Sequence, residues 1–314
     1  MRSVHRVGER LERTARIAQR KVARPSLPRK ATMVLRNRPR LALASVLTAP
    51  LAWLLVIYIG SLSLLVVSAF FRLDGFTGKS TSEWTLSNLN EVLTKSAYLK
   101  LVAKSVGVAA AATLVCLVAA LPTAFYVSKC AAPWAKRGLI VAMLLPLWAG
   151  YLVKAYALRA VFDPGSEFGR GGFLASTIGW SPGFGYIAVT LTLAYLWFPY
   201  MLLPIYAGFE RLSESLLDAS SDLGAGTWRT FGSVVMPLLV PSIAAGSIFT
   251  FSLSLGDYIS VKVVGGTSQM IGNIIERALL APNQPLAAAF TLWPISIMVV
   301  YLLVMGRLGA FKNL

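Results

Sequence analysis

The chain has 314 residues, 56% of them hydrophobic and only 14% charged, with a mean hydropathy of +0.66. Soluble domains carry charge on about a quarter of their residues, so an ordinary soluble fold is excluded. A formal net charge of +17 would fit a nucleic-acid binder, but thirteen Lys and Arg against Glu9 and Glu12 put +11 of it within residues 1–40, just before the first apolar run. That is the pattern that holds a segment on the cytoplasmic side of a membrane, so no nucleic-acid partner is expected.

Several windows hold the roughly 20 mostly apolar residues that cross a bilayer, and backbone groups in lipid must be satisfied within their own segment. The expected fold class is therefore all-α, a polytopic membrane protein with about six transmembrane helices. Two domains are expected: a basic cytoplasmic tail over 1–40 and a transmembrane domain over 41–314. In the tail, Val7, Leu11, Ala15, Ala18 and Val22 recur at helical spacing. An interfacial helix on anionic lipid and a solvated tail both fit that pattern. The apolar run that follows exceeds the h-region of a signal peptide and shows no Ala-x-Ala site.

The first span is expected near 41–71, followed by a polar external segment to about 97. The second lies near 99–128 and carries Pro122, and Lys129, Lys136 and Arg137 mark a cytoplasmic turn before a third span near 138–158. Residues 162–185, rich in Gly and Pro, read as turns and irregular external loop. The fourth span lies near 186–207, a polar cytoplasmic segment covers 208–237, the fifth span lies near 238–261, and the sixth near 286–305. Arg307 and Lys312 place the C-terminal end inside as well. Cys116 and Cys130 are about 21 Å apart along one helix and cannot pair with each other. With His5 in the tail as the one histidine, neither a metal site nor a catalytic residue is expected.

The segment 208–237 is the informative one. Ser213 can cap a short helix, with Glu214 in its first turn. Leu216, Ala219, Ser220 and Leu223 fall at i, i+3, i+4 and i+7, an apolar face of small residues, while Leu217 lies beside them and Asp218 and Asp222 share another face. Gly224 suits the left-handed position past a helix end, and a second helix can start at Thr227 and run towards Pro237. On composition alone this is an amphipathic loop packed under its own bundle. Its spacing says more. Asp218-Ala219-Ser220, three residues, Gly224, nine residues, then Val234-Val235-Met236-Pro237 resembles the loop of ABC importer permeases that reads Glu-Ala-Ala, three residues, Gly, nine residues, Ile-x-Leu-Pro. Asp218, Ser220, Val234 and Met236 depart conservatively from it.

From about residue 99 onward the chain further resembles permeases of spermidine/putrescine importers, the first of the two membrane subunits. The resemblance is carried by Leu121-Pro122-Thr123-Ala124-Phe125, Leu144-Leu145-Pro146-Leu147-Trp148, Lys154-Ala155-Tyr156, Gly256-Asp257-Tyr258-Ile259-Ser260, Gly265-Gly266, Met270-Ile271-Gly272-Asn273-Ile274-Ile275 and Pro285-Leu286-Ala287-Ala288-Ala289. Permeases for ferric iron, aminoethylphosphonate and opine-like compounds look similar around Gly256-Asp257-Tyr258.

The resemblance implies a type I importer permease fold in a bacterial inner membrane. It implies a second homologous permease, two copies of a cytoplasmic ATPase docking on 208–237, and an extracytoplasmic binding protein. The chain has no G-x-x-x-x-G-K-[ST] loop, so ATP and Mg belong to the ATPase and the permease itself is no enzyme.

For the substrate pathway, Asp257 is an ionisable group in or near the outer half of the fifth span, with Tyr258, and with Trp148 and Tyr151 of the third span, as aromatic neighbours for a polycation. Pairing of Asp257 with Lys262 or Lys154, or a helix-capping role, is the structural alternative. Lys154 and Arg159 argue against a purely acidic path and fit the outer headgroup level. Tyr195, Trp197, Phe198 and Tyr200 read as packing or lipid-facing residues. A secondary transporter would need its own ion site and often an internal repeat; an intramembrane enzyme would need paired carboxylates, a Ser/Lys dyad or histidines within spans.

Overall fold

The computed structural model describes residues 39–74, 80–165, 171–281 and 283–307. Residues 1–38 of the expected 1–40 tail, with its helical-spacing residues, and Lys312 lie outside them, while Pro39 and Arg40 already belong to the first helix. The described residues up to Leu64 belong to one unit and those from Leu65 onward to another. Helix α1 (Pro39–Ser68) accounts for the described part of the first unit, and Trp53, Val56, Tyr58 and Leu64 on it are largely exposed.

The second unit opens with a two-stranded antiparallel ribbon, β1 (Phe71–Leu73) and β2 (Ser80–Trp84), where the sequence had offered only a polar segment. Helix α2 (Ser87–Thr94) follows, and the Asn88 side-chain amide donates to the Ala69 and Phe71 carbonyls at 3.1 and 2.8 Å. Helix α3 (Ser96–Phe125) continues into a π turn, Tyr126–Cys130. Ser105, Val108, Ala109, Ala112, Cys116, Ala120 and Ala124 form a buried stripe of mostly small residues along it. Small residues let helices approach closely where lipid supplies no hydrophobic drive between them. The stripe packs on helix α7 (Tyr186–Arg211), around Ala194, Met201, Leu202, Ile205 and Phe209.

The expected third span is broken. Helices α4 (Pro133–Trp148) and α5 (Tyr151–Phe162) meet at 98° across Ala149 and Gly150, which are extended with ψ of 133° and 141°. Among the described residues, five helices are long and apolar enough to cross a membrane, or six if this bent pair is one span. The Gly- and Pro-rich stretch after α5 holds a short helix, α6 (Phe173–Ile178), within its turns.

Beyond α7 come α8 (Glu214–Asp222), α9 (Thr227–Thr230), a π turn Phe231–Val235 and α10 (Met236–Leu255). The fifth span thus ends at Leu255, six residues before the expected limit. The chain resumes in α11 (Ile259–Val264), α12 (Ile271–Leu280) and α13 (Gln284–Arg307). Val108, Phe162, Leu193, Val261, Val264 and Met270 share one buried cluster, so α3, α5, α7 and α11 pack together there.

Candidate functional site

The 208–237 segment folds as the expected helix–turn–helix, and its end is fixed by backbone geometry. Gly224 has φ +76°, its amide donates to the Ser221 carbonyl at 2.8 Å, and the Ala225 amide donates to the Ser220 carbonyl at 3.1 Å. These two bonds across a left-handed residue close the last turn and satisfy carbonyls the helix leaves open. The Ser220 hydroxyl then meets Thr230 Oγ1 at 2.8 Å, linking α8 to α9. At the base of the segment Lys129 donates to the Leu212 carbonyl at 2.9 Å, and Lys136 pairs with Glu210 at 2.8 Å. Met236 donates to the Phe231 carbonyl five residues back, and Pro237 is the second residue of α10. Lacking an amide hydrogen, Pro237 cannot extend the ladder to Ser233, and the helix widens into a π turn just there.

Two expectations for this segment change. Ser213 has the extended backbone of a cap, but its hydroxyl accepts from Ser215 Oγ at 3.2 Å and caps no amide. The face of Leu216, Ala219, Ser220 and Leu223 is also split. Ser220 is buried and Leu217 is half-buried against Phe209, Leu212 and Val235, while Leu216 and Ala219 are exposed and Leu223 is 89% exposed. The reason is local. Leu217 supplies the apolar anchor, and α8 ends at Asp222, so Leu223 leaves the helical period. Asp218, Asp222 and Trp228, the last 88% exposed, lie on the outward side with them.

The second cluster surrounds the break after α10. Asp257 is 7% exposed; its Oδ1 accepts the Ser260 amide at 2.8 Å and its Oδ2 accepts Ser260 Oγ at 3.2 Å and the Tyr151 hydroxyl. Tyr151 also meets Ser260 Oγ at 2.7 Å. The carboxylate thus caps the first turn of α11 and holds α5 beside it. Neither lysine pairs with it: Lys262 pairs with Glu276 at 2.5 Å. Arg159 donates to the Val263 carbonyl, and its guanidinium stands 4.6 Å from the centroid of the Phe184 ring.

Of the residues assigned to a pathway, Tyr151 and Asp257 are joined by a hydrogen bond, and Tyr258 follows Asp257 in the chain with its side chain partly exposed. Trp148, at the end of α4, is 89% exposed and outside the hydrogen-bonded cluster. Trp197, read from the sequence as packing or lipid-facing, lies against Tyr151 with ring centroids 5.9 Å apart and planes tilted by 31°, and its indole nitrogen is buried without an acceptor among the described residues. A contact between α5 and α7 leaves no local signal in the sequence that could have found it. Among the described residues no three His, Cys, Asp or Glu side chains converge to hold a metal.

The family described as "Binding-protein-dependent transport system inner membrane component" matches residues 112–311. The chain belongs to that family. This permease is 38% identical over 298 residues to the inner membrane ABC transporter permease protein YdcU of Escherichia coli K12, covering 88% of this chain and 93% of that one. It is 30% identical over 273 residues to the spermidine/putrescine transport system permease protein PotB of the same organism, covering 83% and 95%. A bacterial ABC transporter for alginate import shares its fold with a TM-score of 0.66 at 12% identity, over 88% of this chain and 97% of that one. The permease is therefore a multi-pass, non-enzymatic membrane subunit of an ABC importer, and the class of secondary transporters and that of intramembrane enzymes are set aside.

Proposed function

We propose that this permease forms half of the pathway of an ATP-driven importer for small organic polycations of the spermidine and putrescine kind. The observation that carries the cargo is the similarity to PotB proteins, named as spermidine/putrescine permeases, over 83% of the chain. The cluster of Asp257, Tyr151 and Tyr258 supports it, because a carboxylate among aromatic rings attracts ammonium groups by charge and cation–π contact. In this reading an extracytoplasmic binding protein delivers the cargo and a second homologous permease supplies the other half of the pathway.

Two copies of an ATPase, carrying ATP and Mg, drive the cycle. One of them docks on the segment containing Leu216, Leu217, Asp218, Ala219, Ser220, Asp222, Leu223, Gly224 and Pro237. The outward Leu216, Leu223 and Trp228 favour this, since exposed apolar groups on a polar loop mark a contact surface. Both termini then lie in the cytoplasm.

The test is uptake of labelled spermidine and putrescine in cells lacking the permease and in complemented cells. Restored uptake supports the reading. An assembled complex with no change in uptake would reject the polyamine cargo and leave ferric iron, aminoethylphosphonate or opine-like compounds to be tried in turn.

A further inference from the structure

Beside the Asp257 cluster, Tyr258, Lys262 and Glu276 assemble the elements that recognise an organic ammonium, with the chain's own lysine in the ligand position. Lys262 Nζ lies 2.5 Å from Glu276 Oε1 and 5.8 Å from the centroid of the Tyr258 ring. The second oxygen, Glu276 Oε2, is buried and accepts no hydrogen bond among the described residues. The lysine side chain is 51% exposed and the glutamate 21%.

The elements that carry the carboxylate and the ring are fixed against each other, and of the two charged partners the lysine has the longer and more exposed side chain. A Cβ on Gly272 would stand 3.0 Å from the Gly256 carbonyl oxygen and 3.1 Å from Tyr258 Cβ, so α12 lies directly on the break that carries Tyr258. At the next position, the buried Asn273 donates through Nδ2 to the Tyr258 carbonyl at 3.1 Å and accepts the Met270 amide at 3.2 Å. Glu276 projects from the middle of the same helix. Of the two charged partners, the more exposed lysine is the freer to leave.

We infer that Glu276 and the Tyr258 ring form a binding site for a cargo ammonium group, and that Lys262 fills this site as a tethered stand-in which the cargo displaces. This rests on the polycation reading above and adds a site to it. A partly exposed ion pair holds its partners weakly, so the lysine leaves at small cost and regains its hydration. A di- or polyamine brings what the lysine lacks: further ammonium groups, one of which can satisfy Glu276 Oε2. A ligand tethered nearby competes at an effective concentration in the millimolar range, which raises the apparent KM of an untethered one.

The test uses the assembled transporter with its binding protein and compares Lys262→Met, Glu276→Gln and the double variant. Lys262→Met should lower the apparent KM for spermidine about tenfold, Glu276→Gln should raise it, and the double variant should follow Glu276→Gln. Lys262→Gln serves as a second, polar replacement. If removing either partner impairs uptake alike, the pair is an ordinary ion pair and the inference is overturned.

A second measurement separates this from the cargo reading: the rise in melting temperature of the purified complex in spermidine, against sodium chloride of equal ionic strength. A larger rise for Lys262→Met than for wild type supports the site even if polyamine uptake proves absent. Equal rises reject it whatever the cargo.

Discussion

Ser220 and Thr230 face each other hydroxyl to hydroxyl at 2.8 Å, across the turn that Gly224 makes between α8 and α9. Among the described residues this is the side-chain hydrogen bond that joins the two short helices, and Ser220 is the buried residue of α8. A push on α8 therefore reaches α9, the π turn and α10 through this bond and the backbone. Ser220→Ala and Thr230→Val should each cost about 1 kcal/mol of local stability and lower uptake per ATP hydrolysed. Because both cut one link, the double variant should be little worse than either single one. Additive losses in a double-mutant cycle would show the hydroxyls acting separately.

Gly224 should be the least replaceable position of the segment. At φ +76° nothing stands within 4 Å of the point that a Cβ would occupy, so the obstacle to a side chain is conformational and not steric crowding by neighbours. A β-branched residue in the left-handed region costs about 1–2 kcal/mol and would open the two bonds that end α8. Gly224→Val should reach the membrane at normal levels, measured by immunoblot of membrane fractions, while uptake is lost. Gly224→Asn, which tolerates the left-handed region, should retain most of it.

How far the sequence foretold this structure depends on the range of the interaction. Gly224 was legible because left-handed backbone follows from one residue's chemistry and its place after a helix. The spans were legible within a few residues because apolar composition is read locally. The break at Ala149 and Gly150 was not, since apolar residues run through Leu144–Leu147 and resume at Tyr151, and hydropathy carries no information on a 98° bend. Pro146 signalled a weakened helix but not its direction. The capping role of Asp257 was one of the alternatives the sequence left open. Its bond to Tyr151, the contact of Trp197 with the Tyr151 ring and the pairing of Lys262 with Glu276 join separate elements of the fold, and no local pattern encodes them.

The outward residues of the 208–237 segment give a prediction about assembly. Leu223 and Trp228 are 89% and 88% exposed, so removing them costs the permease itself little, within about 0.5 kcal/mol. If an ATPase covers them, an exposed Trp is the kind of side chain that dominates such an interface, at about 2 kcal/mol or more. Trp228→Ala and Leu223→Asp should leave the melting temperature of the isolated permease unchanged and reduce co-purification of the ATPase. Full recovery of the ATPase with both variants would place the docking surface elsewhere.

The two roles open to Asp257 can be separated by the choice of replacement. As a cap it needs an oxygen that accepts the Ser260 amide, which Asn retains and Ala lacks; Asp or Asn to Ala at a cap costs about 1 kcal/mol. As a pathway carboxylate it needs its charge, which both replacements remove. Asp257→Asn keeps the cap but turns Oδ2 into an amide nitrogen that cannot accept the Tyr151 and Ser260 hydroxyls, so it should lose about 1.5–3 kcal/mol and transport poorly, and Asp257→Ala should lose the cap as well. Tyr151→Phe removes one donor to the same carboxylate and should lower stability by about 1.5–3 kcal/mol while leaving the charge in place, so its uptake should exceed that of Asp257→Asn. Normal uptake by Asp257→Asn would mean that the carboxylate only caps α11. Recognition of the cargo would then fall to the aromatic rings and to Glu276.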